Sequence, residues 1–366
     1  MPRFAHADLL AFGERILSAA GVRPDDASLL ATLLVQADLR GYTGHGLSHV
    51  HSYIERMRNG LIQLDGNPEI VREGKTTAVL DGGFYIGQVV AHRGMELAIR
   101  KAAEYGVGIV SVRHSGHVGR LADYVEMAAD RGMIGFAATS VGGGNIAPYG
   151  GRQPIAGTNP MAYGIPGKDG EHIIFDFATS AMSMGEFNNL LARGEPVPEG
   201  ILLDGDGNPT REYAAFRGPP RGVMLPFGGY KGSGLHVIAE VLGGLVSGNG
   251  RGMGWLDRGA SAVNAVFLQA ISVEEFQPLP EFLEQVAQLA SFIRSRETAA
   301  GFDEIRLPGD GSRRTAERQM REGIEIHADV WARLKETADR LELTALPTPL
   351  PGRSDVRIGQ PGPADG

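Results

Sequence analysis

Clusters of glycine constrain the fold of this chain more than any other feature of its sequence. Of its 366 residues, 53 are glycine, about twice the usual share of about 7%. Many stand in short groups, such as "VGGGN", "YGG" and "PFGGYKGSG", between apolar stretches. Because glycine tolerates positive φ angles and close approach of the backbone to a ligand, these groups predict a ligand cradle made of tight turns.

The usual glycine motifs for nucleotides are nevertheless missing. No G-x-G-x-x-G follows a strand near the start of a βαβ unit, and neither G-x-x-x-x-G-K-[ST] nor G-x-S-x-G occurs. Those motifs place backbone amides against phosphates, or a nucleophilic serine on a sharp turn. The sequence therefore disfavours a standard Rossmann domain, a P-loop protein and a hydrolase with a nucleophile elbow.

Composition and charge exclude further classes. Lys and Arg number 35 against 43 Asp and Glu, and no run of basic residues offers a footprint for nucleic acid. The chain has no cysteine, which excludes disulfides and thiolate chemistry and is typical of a reducing compartment. The N-terminal stretch does not resemble a signal peptide, and no apolar run reaches the roughly 18 residues of a membrane span. We expect a soluble, cytoplasmic protein that binds neither nucleic acid nor a membrane.

Hydrophobic periodicity divides the chain into four parts. Residues 1–75 predict a helical N-terminal lobe, with Asp25 and Asp26 as helix caps. Residues 76–270 alternate short apolar strands with helices, which predicts a mixed α/β lobe. Residues 271–345, with a predicted helical segment over 314–341, are expected to pack back on the other lobes. Residues 346–366 are rich in proline and glycine and are predicted to form a flexible tail.

Five histidines lie in the two windows "GHGLSHVHS" and "HSGHVG", namely His45, His49, His51, His114 and His117. A helix would present His45 and His49 to one metal ion, with His114 or His117 as a third ligand. However, no Glu completes an H-E-x-x-H motif, and the flanking glycines weaken a helix. We therefore predict no metal site, although a metal-dependent hydrolase or lyase stays open as an alternative.

The glycines that flank two of these rings are Gly44, Gly46, Gly116 and Gly119. They are expected to bare the backbone around His45 and His117, so that a substrate can approach either ring. An accessible histidine suits acid/base catalysis near neutral pH. His114 follows directly on a predicted strand and is equally consistent with a purely structural role.

A carboxylate and a lysine stand out in similar surroundings. Asp176 lies in the apolar stretch "IIFDFATS", where an unpaired carboxylate is costly, so a hydrogen-bond partner is expected. A histidine ring is one candidate partner, and a cap on the following turn is the alternative. Lys231, between glycines in "FGGYKGSG", suits a phosphate or carboxylate, or is simply solvated.

Six ordered segments from about residue 5 to residue 340 resemble one family. They are "RGYTGHGLSHV", "HSGHVGRLADY", "APYGGRQPIAGTNPMAYGIP", "FDFATSAMSMGE", "LPFGGYKGSGL" and "IRLPGDGSRRTAERQMREGIEI". The chain resembles the malate/L-lactate dehydrogenase-like oxidoreductases of the non-Rossmann type, a family that includes ureidoglycolate dehydrogenase, sulfolactate dehydrogenase, 2,3-diketogulonate reductase and Δ1-piperideine-2-carboxylate reductase. The resemblance implies a mixed α/β fold with a helical N-terminal lobe and a mixed-sheet cofactor lobe. It also implies a homodimer with its active site near the subunit interface.

The resemblance also implies roles for particular residues. His117 and His45 match histidines that act on the substrate, either of which could carry the proton, and Asp176 would orient the ring. His49 and Thr158 are expected at the substrate. The positions that match cofactor-binding residues of the family are Ser140, Asp176, Phe177, Ala178, Thr179, Ser180, Tyr230, Lys231, Gly309, Asp310 and Gly311.

Two positions depart from the family pattern "SHGVNR", where this chain has Gly44 and His49. An arginine at the second position would grip a substrate carboxylate through two hydrogen bonds, whereas a histidine offers at most one. The sequence offers five arginines that could compensate and does not choose among them, namely Arg40, Arg56, Arg58, Arg120 and Arg152. An inactive family member that only binds a ligand is therefore a further alternative.

The leading hypothesis is hydride transfer between NAD or NADP and a small 2-hydroxy or 2-oxo acid, or a cyclic imino acid. A nicotinamide cofactor would carry the redox chemistry, while the protein supplies binding and the proton. NAD is slightly preferred, because Glu186 near the ribose would repel a 2′-phosphate.

Overall fold

A seven-stranded mixed sheet forms the centre of the molecule. The structure is a computed structural model, and it describes residues 1–250 and 263–351. The strands of the sheet are β2 (Glu69–Glu73), β3 (Thr77–Asp81), β4 (Val107–Ser115), β5 (Met133–Val141), β6 (Met161–Ile165), β7 (Ile173–Phe177) and β11 (Asn264–Ser272). Their order is β2-β3-β4-β11-β5-β6-β7. Only β3 and β4 pair in parallel, and every other neighbouring pair is antiparallel.

Helices and short strands surround this sheet. The helices are α1 (His6–Ala19), α2 (Pro24–Leu39), α3 (Val50–Arg58), α4 (Gly87–Tyr105), α5 (Ala122–Ala129), α6 (Met184–Arg193), α7 (Tyr213–Arg217), α8 (Tyr230–Ala239), α9 (Leu279–Arg294), α10 (Asp310–Glu322) and α11 (Ala328–Arg340). The short strands are β1 (Arg3–Phe4), β8 (Leu202–Leu203), β9 (Pro209–Thr210), β10 (Val223–Met224) and β12 (Ile324–Glu325). This mixed α/β architecture, with helices at its N-terminal end, confirms the fold class that the sequence predicts. No helix in the described ranges is both long and apolar enough to cross a bilayer.

The N-terminal helices share one core with the sheet. Phe12 on α1, Leu30 on α2 and Leu268 on β11 are fully buried members of this single apolar cluster. The expected capping by Asp25 and Asp26 is wrong: Arg23 precedes the first turn of α2, and Pro24 begins it. Asp26 is buried instead, where its carboxylate accepts hydrogen bonds from Arg23, Arg93 and Tyr85. Strand β2 also lies within residues 1–75, so the sheet begins before the predicted lobe boundary.

The C-terminal part packs back on the N-terminal helices. The predicted helical segment over 314–341 is interrupted, because Gly323 ends α10 with a φ of 90° and β12 follows. Strand β12 pairs with β1, and α11 contacts α3. The first residues of the predicted tail are attached to this part, since the Leu350 amide donates to the Arg3 carbonyl at 2.7 Å. Residues 352–366 of that tail lie outside the described residues.

A small second core has no counterpart in the sequence analysis. It joins α6, α7 and the three-stranded sheet of order β10-β8-β9. Phe187 and Phe216 meet edge to face at 4.8 Å in its centre. This core positions the residues 181–229 beside the end of the large sheet.

Candidate active site

The two histidine windows of the sequence meet in space. His45 and His49 lie in the short turns Thr43–His45 and Leu47–His49 that precede α3, and His117 lies in the loop after β4. The ring of His117 stacks on His45 with centroids 5.6 Å apart and lies 4.5 Å from the ring of His49. One nitrogen from each ring lies within 4.8 Å of the other two. We call these three rings, with Tyr53 and Arg56 of α3, the histidine pocket.

The segment that carries two of the rings is fixed by a buried carboxylate. Asp38 on α2 is 3% exposed and accepts a hydrogen bond of 2.8 Å from the Leu47 amide. A Cβ atom on Gly46 would lie 2.1 Å from the Asp38 carboxylate, so only glycine fits there. Burial raises the pKa of Asp38 to about 7.

Most of the flanking glycines therefore serve packing rather than substrate access. A Cβ on Gly46, Gly116 or Gly119 would come within 3.2 Å of neighbouring protein atoms. At Gly44 the nearest atom, the Gly185 Cα, would be 3.6 Å away, an ordinary contact. The expectation that all four glycines open a path to the imidazoles is wrong, because the backbone and side chains of α2 and α4 occupy that space.

His117 is held by a tyrosine that the sequence analysis did not single out. The Tyr53 hydroxyl lies 2.6 Å from His117 Nδ1 and donates to Gln88 Oε1 at 3.2 Å. When the hydroxyl donates to Gln88, it accepts from a protonated Nδ1, and in that tautomer the lone pair of His117 lies on Nε2. Tyr53 follows His49 by four residues, and their rings stack at 5.3 Å. That helical spacing is the signal that could have found it.

The three imidazoles are neutral in this setting. Burial lowers the pKa of His117 well below its usual value, and the nearby His49, His45 and Arg56 lower it further. Burial, with smaller repulsion from His49 and Arg120, lowers the pKa of His45 to about 4. Burial also lowers the pKa of His49, although the hydrogen bond from its ring to the Gly44 carbonyl raises that pKa in part. A neutral imidazole can accept a proton, so the pocket is suited to a general base.

One of the five candidate arginines differs from the rest. Arg40 pairs with Glu126, Arg58 with Glu55, and the buried Arg120 with Asp123, while Arg152 donates to the Asp206 carbonyl. Arg56 alone among the five has no hydrogen bond or ion pair within the described ranges. It stands on the same face of α3 as Tyr53, three residues on, and burial lowers its pKa. The pocket thus holds one half-buried cation that is free to meet an anion.

Asp176 does not hold a histidine ring. Its carboxylate accepts a hydrogen bond of 2.9 Å from the Ala122 amide at the start of α5. Burial raises the pKa of Asp176 to about 6, although that bond and the nearby Arg120 oppose the shift. The expected orienting role is wrong because the end of β7 directs this side chain to α5, and Tyr53 orients His117 instead. His114 also lies apart, paired with Asp81 at 3.0 Å.

The positions expected to bind a cofactor form two groups. In the first, the Phe227 amide donates to the Thr179 carbonyl, and Ser180 forms a β-bridge with Pro226. Helix α8 begins directly afterwards at Tyr230, which is 66% exposed and meets Tyr149 edge to face. Residues 149–151, 179–180 and 226–233 are here called the α8 face, and a cavity of about 720 Å³ opens on it.

Two features of this first group suit a bound anion or polar ligand. Lys231 is exposed in the first turn of α8 and has no ion pair among the described residues. The hydroxyl of Ser140, at the end of β5, is buried without a hydrogen-bond partner in the described part of the chain. Thr158 contributes its carbonyl, which accepts from both the amide and the hydroxyl of Thr179. Phe177 packs edge to face on Phe227. These residues fit a cofactor whose charge lies at the start of α8.

The second group, the turn Gly309–Gly311, fits a cofactor less well. Asp310 is buried, and its carboxylate accepts from the Leu307 amide, Arg294 and Arg313. It therefore stabilises the start of α10 and is not available to a ligand. Gly309, with a φ of 98°, lies against Ile174 and lines a separate cavity of about 340 Å³.

His236 is a further buried group that the sequence analysis missed. It is 1% exposed, and its Nδ1 lies 2.8 Å from the Thr179 hydroxyl. Its Nε2 has no hydrogen-bond partner in the described part of the chain. Burial lowers its pKa to about 4. The apolar pattern of α8 does not predict the contact between His236 and Thr179, because that contact depends on the fold of residues 158–179.

Comparison with known proteins agrees with this geometry. A model of the malate/L-lactate dehydrogenase family matches residues 4–335. The chain is 36% identical over 332 residues to a malate/(S)-sulfolactate dehydrogenase from Methanothermus fervidus, which covers 90% of this chain and 95% of that protein. The sulfolactate dehydrogenase structure from Methanocaldococcus jannaschii superimposes with a TM-score of 0.84 at 33% identity, over 93% of this chain and 98% of that one. A Δ1-piperideine-2-carboxylate reductase from Pseudomonas syringae gives a TM-score of 0.80 at 29% identity, over 92% and 100%. The comparisons do not favour a metal-dependent hydrolase or an inactive binding protein.

Proposed function

Because the chain belongs to the malate/L-lactate dehydrogenase family and is a hydroxyacid dehydrogenase of that kind, we propose that the histidine pocket interconverts a small 2-hydroxy acid and its 2-oxo acid by hydride transfer. The alternative substrate is a cyclic imino acid, which the same transfer would reduce to the cyclic amino acid. The observation that carries this proposal is the 2.6 Å hydrogen bond between His117 Nδ1 and the Tyr53 hydroxyl. With Nδ1 as its donor, the Nε2 lone pair is free. Burial, with a smaller contribution from the nearby Arg56, lowers the pKa of that ring and keeps it neutral. His117 is accordingly the group we assign as proton acceptor, and His45 stacks against it.

In the oxidation direction, His117 Nε2 takes the proton of the substrate hydroxyl. A nicotinamide dinucleotide supplies the acceptor for the hydride that leaves C2. The resulting imidazolium keeps its Nδ1 proton on Tyr53, so the ring stays oriented for the return of the proton in reduction. His49 and Thr158 are expected to line the substrate space, with Thr158 on the side of the α8 face.

Arg56 takes the place of the missing arginine at position 49. A substrate carboxylate needs a positive partner, and Arg56 is the unpaired guanidinium on the wall of the pocket. Arg56 would reach the substrate from α3, one helical turn after Tyr53, whereas His49 lies in the turn before that helix. This proposal accounts for an active enzyme despite the departure at His49.

The cofactor is assigned to the α8 face. The free cation of Lys231 at the start of a ten-residue helix suits the pyrophosphate. The adjoining cavity of about 720 Å³ is in the range of small-molecule sites, and it is lined on this side by residues 149–151 and 226–229 rather than by Lys231 itself. The other groups assigned there are Ser140, Asp176, Phe177, Ala178, Thr179, Ser180 and Tyr230, with the backbone of Gly309 and Gly311 as an outlying contact. NAD is preferred over NADP through Glu186, which is exposed in the first turn of α6.

A homodimer is also part of the proposal. The outer side of α8 and the π-helical turn Glu240–Leu245 that continues it expose apolar side chains: Val237, Ile238, Val241, Leu245 and Val246, each between 41% and 51% exposed. A second copy that covers this face would remove it from water. Light scattering of the wild type and of Val241→Asp tests this directly: a dimer that becomes a monomer supports it, and a monomeric wild type contradicts it.

The experiment that tests the activity follows reduced nicotinamide by its absorbance. Purified protein is mixed with NADH or NADPH and a panel of 2-oxo acids plus Δ1-piperideine-2-carboxylate, and with the oxidised cofactors and 2-hydroxy acids. Turnover with at least one pair is expected. If cofactor fluorescence reports binding but no pair turns over, the assignment of the substrate class is wrong. If neither cofactor binds, the assignment of the α8 face is wrong as well.

A further inference from the structure

We propose that His45, His49 and His117 together bind a divalent transition-metal ion such as Zn²⁺, and that the bound ion blocks the dehydrogenase. The metal site stands on the geometry alone, whereas the inhibition rests on the proposed function. The sequence analysis predicts no metal site, because no Glu completes an H-E-x-x-H motif and the flanking glycines weaken a helix. In the structure, His45 and His49 lie in two short turns instead, and the second window brings His117 to them. Among the described residues, these three form the cluster in which one nitrogen from each ring lies within 4.8 Å of the others.

The spacing of the rings is close to that of a zinc site. Imidazole nitrogens bind Zn²⁺ at about 2.0–2.1 Å, so two of them on one tetrahedral ion lie about 3.4 Å apart. The separations between the ligand nitrogens need to shorten by no more than about 1.4 Å. The nearly parallel rings of His45 and His117, with 6° between their planes, must also turn so that their lone pairs meet at one ion. Three protein ligands would leave one position open to water or another anion.

Two of the rings are already oriented as metal-bound imidazoles are. Such rings usually donate their second nitrogen to a carbonyl, a carboxylate or another polar group, which fixes the tautomer. His49 Nε2 donates to the Gly44 carbonyl at 2.8 Å and leaves Nδ1 unprotonated. His117 Nδ1 is held by Tyr53 and leaves Nε2 unprotonated. The third ring, His45, has a buried Nδ1 without a partner among the described residues.

The surroundings set limits on the affinity. Arg56 contributes a positive charge, and Asp38 contacts the backbone of this segment rather than the rings. An anion in the open coordination position would offset that charge. We therefore expect weaker binding than at a closed four-ligand zinc site. Because the ion would take the Nε2 lone pair of His117, the metal-bound protein could not accept a substrate proton.

Co²⁺ is the probe for the test, since four-coordinate Co²⁺ absorbs visible light far more strongly than the hydrated ion. The full chain is freed of metal with a chelator, dialysed and titrated with Co²⁺. We expect one intensely absorbing ion per chain, displaced by Zn²⁺. His49→Phe keeps an aromatic ring against Tyr53 but removes a ligand, and it should weaken Co²⁺ binding at least tenfold. The matched control is His51→Phe, because His51 faces Thr337 outside the cluster.

Circular dichroism and thermal unfolding show whether His49→Phe is folded, and His45→Ala is the second variant if it is not. A wild type without the strong absorption, or ligand variants that bind Co²⁺ as the wild type does, would overturn the proposal. Inhibition is tested separately: Zn²⁺ should abolish turnover of the wild type, and a chelator should restore it. A protein that binds Co²⁺ in this way but never turns over would leave the metal site standing and contradict the proposed function instead.

Discussion

The histidine pocket and the α8 face are built in opposite ways. In the pocket, side chains from α3, α4 and the loop after β4 orient one another, and the principal hydrogen bond, between the Tyr53 hydroxyl and His117 Nδ1, is 2.6 Å long. On the α8 face, the groups that could meet a ligand are backbone turns, an exposed tyrosine and a lysine without an ion pair in the described part of the chain. A proton acceptor must be held in place before the substrate arrives, whereas a cofactor site can gain its order when the cofactor binds. The comparison predicts that changes in the pocket act on turnover or stability, and changes on the α8 face act on affinity.

The largest effect is expected from His117→Ala. Loss of a general base typically costs about 10² to 10⁴ in rate, so kcat should fall by that factor. The affinity for NADH should hardly change, because no contact within residues 1–250 and 263–351 joins His117 to the α8 face. Steady-state kinetics and a fluorescence titration measure the two quantities. The control His51→Ala should behave as wild type in both. If His117→Ala retains full turnover while His45→Ala does not, the proton belongs to His45 instead.

Arg56→Met should act mainly on KM. Removing the cation that meets the substrate carboxylate should raise KM about 10- to 100-fold, the range for a lost charge-assisted contact of about 1.5–3 kcal/mol. The apolar stem of methionine keeps the packing on α3. Arg58→Met is the matched control, since Arg58 pairs only with Glu55. An unchanged KM for every carboxylate substrate would remove Arg56 from the site.

A pair of glycine variants tests how tightly the pocket is packed. Gly46→Ala places a methyl group 2.1 Å from the Asp38 carboxylate and should lower the free energy of unfolding by about 1–3 kcal/mol. Gly44→Ala meets its nearest neighbour at 3.6 Å and should change that energy little. Urea denaturation of the two variants gives the comparison. Equal stabilities would mean that Asp38 moves freely and does not fix the segment.

The sequence predicted most of the fold and only part of this pocket, for physical reasons. Periodicity predicted the alternation of strands and helices over residues 76–270, because each of these elements has its own pattern of buried residues, but it missed β2, whose five residues are all exposed. The break at Gly323 was missed because the pattern of α10 continues into α11, and only the positive φ interrupts it. The windows of His45 and His117 were found by their glycines. Tyr53 was not, because its role depends on Gln88 of α4, which only the tertiary fold brings within 3.2 Å.

For Asp176, the sequence predicts that a hydrogen-bond partner exists but does not identify the partner. Its apolar neighbours correctly predicted a hydrogen-bond partner, but sequence spacing could not distinguish a histidine from the free amide of Ala122 at the start of α5. Likewise, the family resemblance implied a cofactor contact for Asp310, whereas its carboxylate accepts a hydrogen bond from Arg294, sixteen residues earlier. Chemistry that depends on a local pattern was predictable, and chemistry that depends on a distant partner was not.

Asp176 lies between the two regions, and its titration affects stability. Its pKa in the folded chain, about 6, lies above the usual value of 3.8, so the folded state binds a proton that the unfolded state releases. The free energy of unfolding contributed by this group therefore decreases as the pH rises from about 4 to about 6. Two pKa units correspond to at most about 3 kcal/mol. Asp176→Asn keeps an acceptor for the Ala122 amide and should remove this dependence.

Urea unfolding of the wild type and of Asp176→Asn between pH 4 and pH 7 measures this pH dependence of the free energy of unfolding, over a range set by the pKa values of Asp176. The variant should gain stability relative to the wild type as the pH rises through this window and keep the gain above it. A constant difference between the two proteins would show that Asp176 titrates in the folded chain as it does in the unfolded one.

The smallest effect is expected on the α8 face. Lys231→Met should weaken binding of NADH about three- to tenfold, because an exposed ion pair contributes only about 1 kcal/mol. The effect should shrink as the salt concentration rises, since an exposed charge is screened within about 10 Å at 0.1 M salt. The value of kcat at saturating cofactor should stay unchanged, in contrast to His117→Ala. Lys335→Met, an exposed lysine on α11, is the matched control and should bind NADH as wild type does. A loss of kcat rather than of affinity would mean that the α8 face is as preorganised for the reaction as the histidine pocket, and the contrast between the two regions would fail.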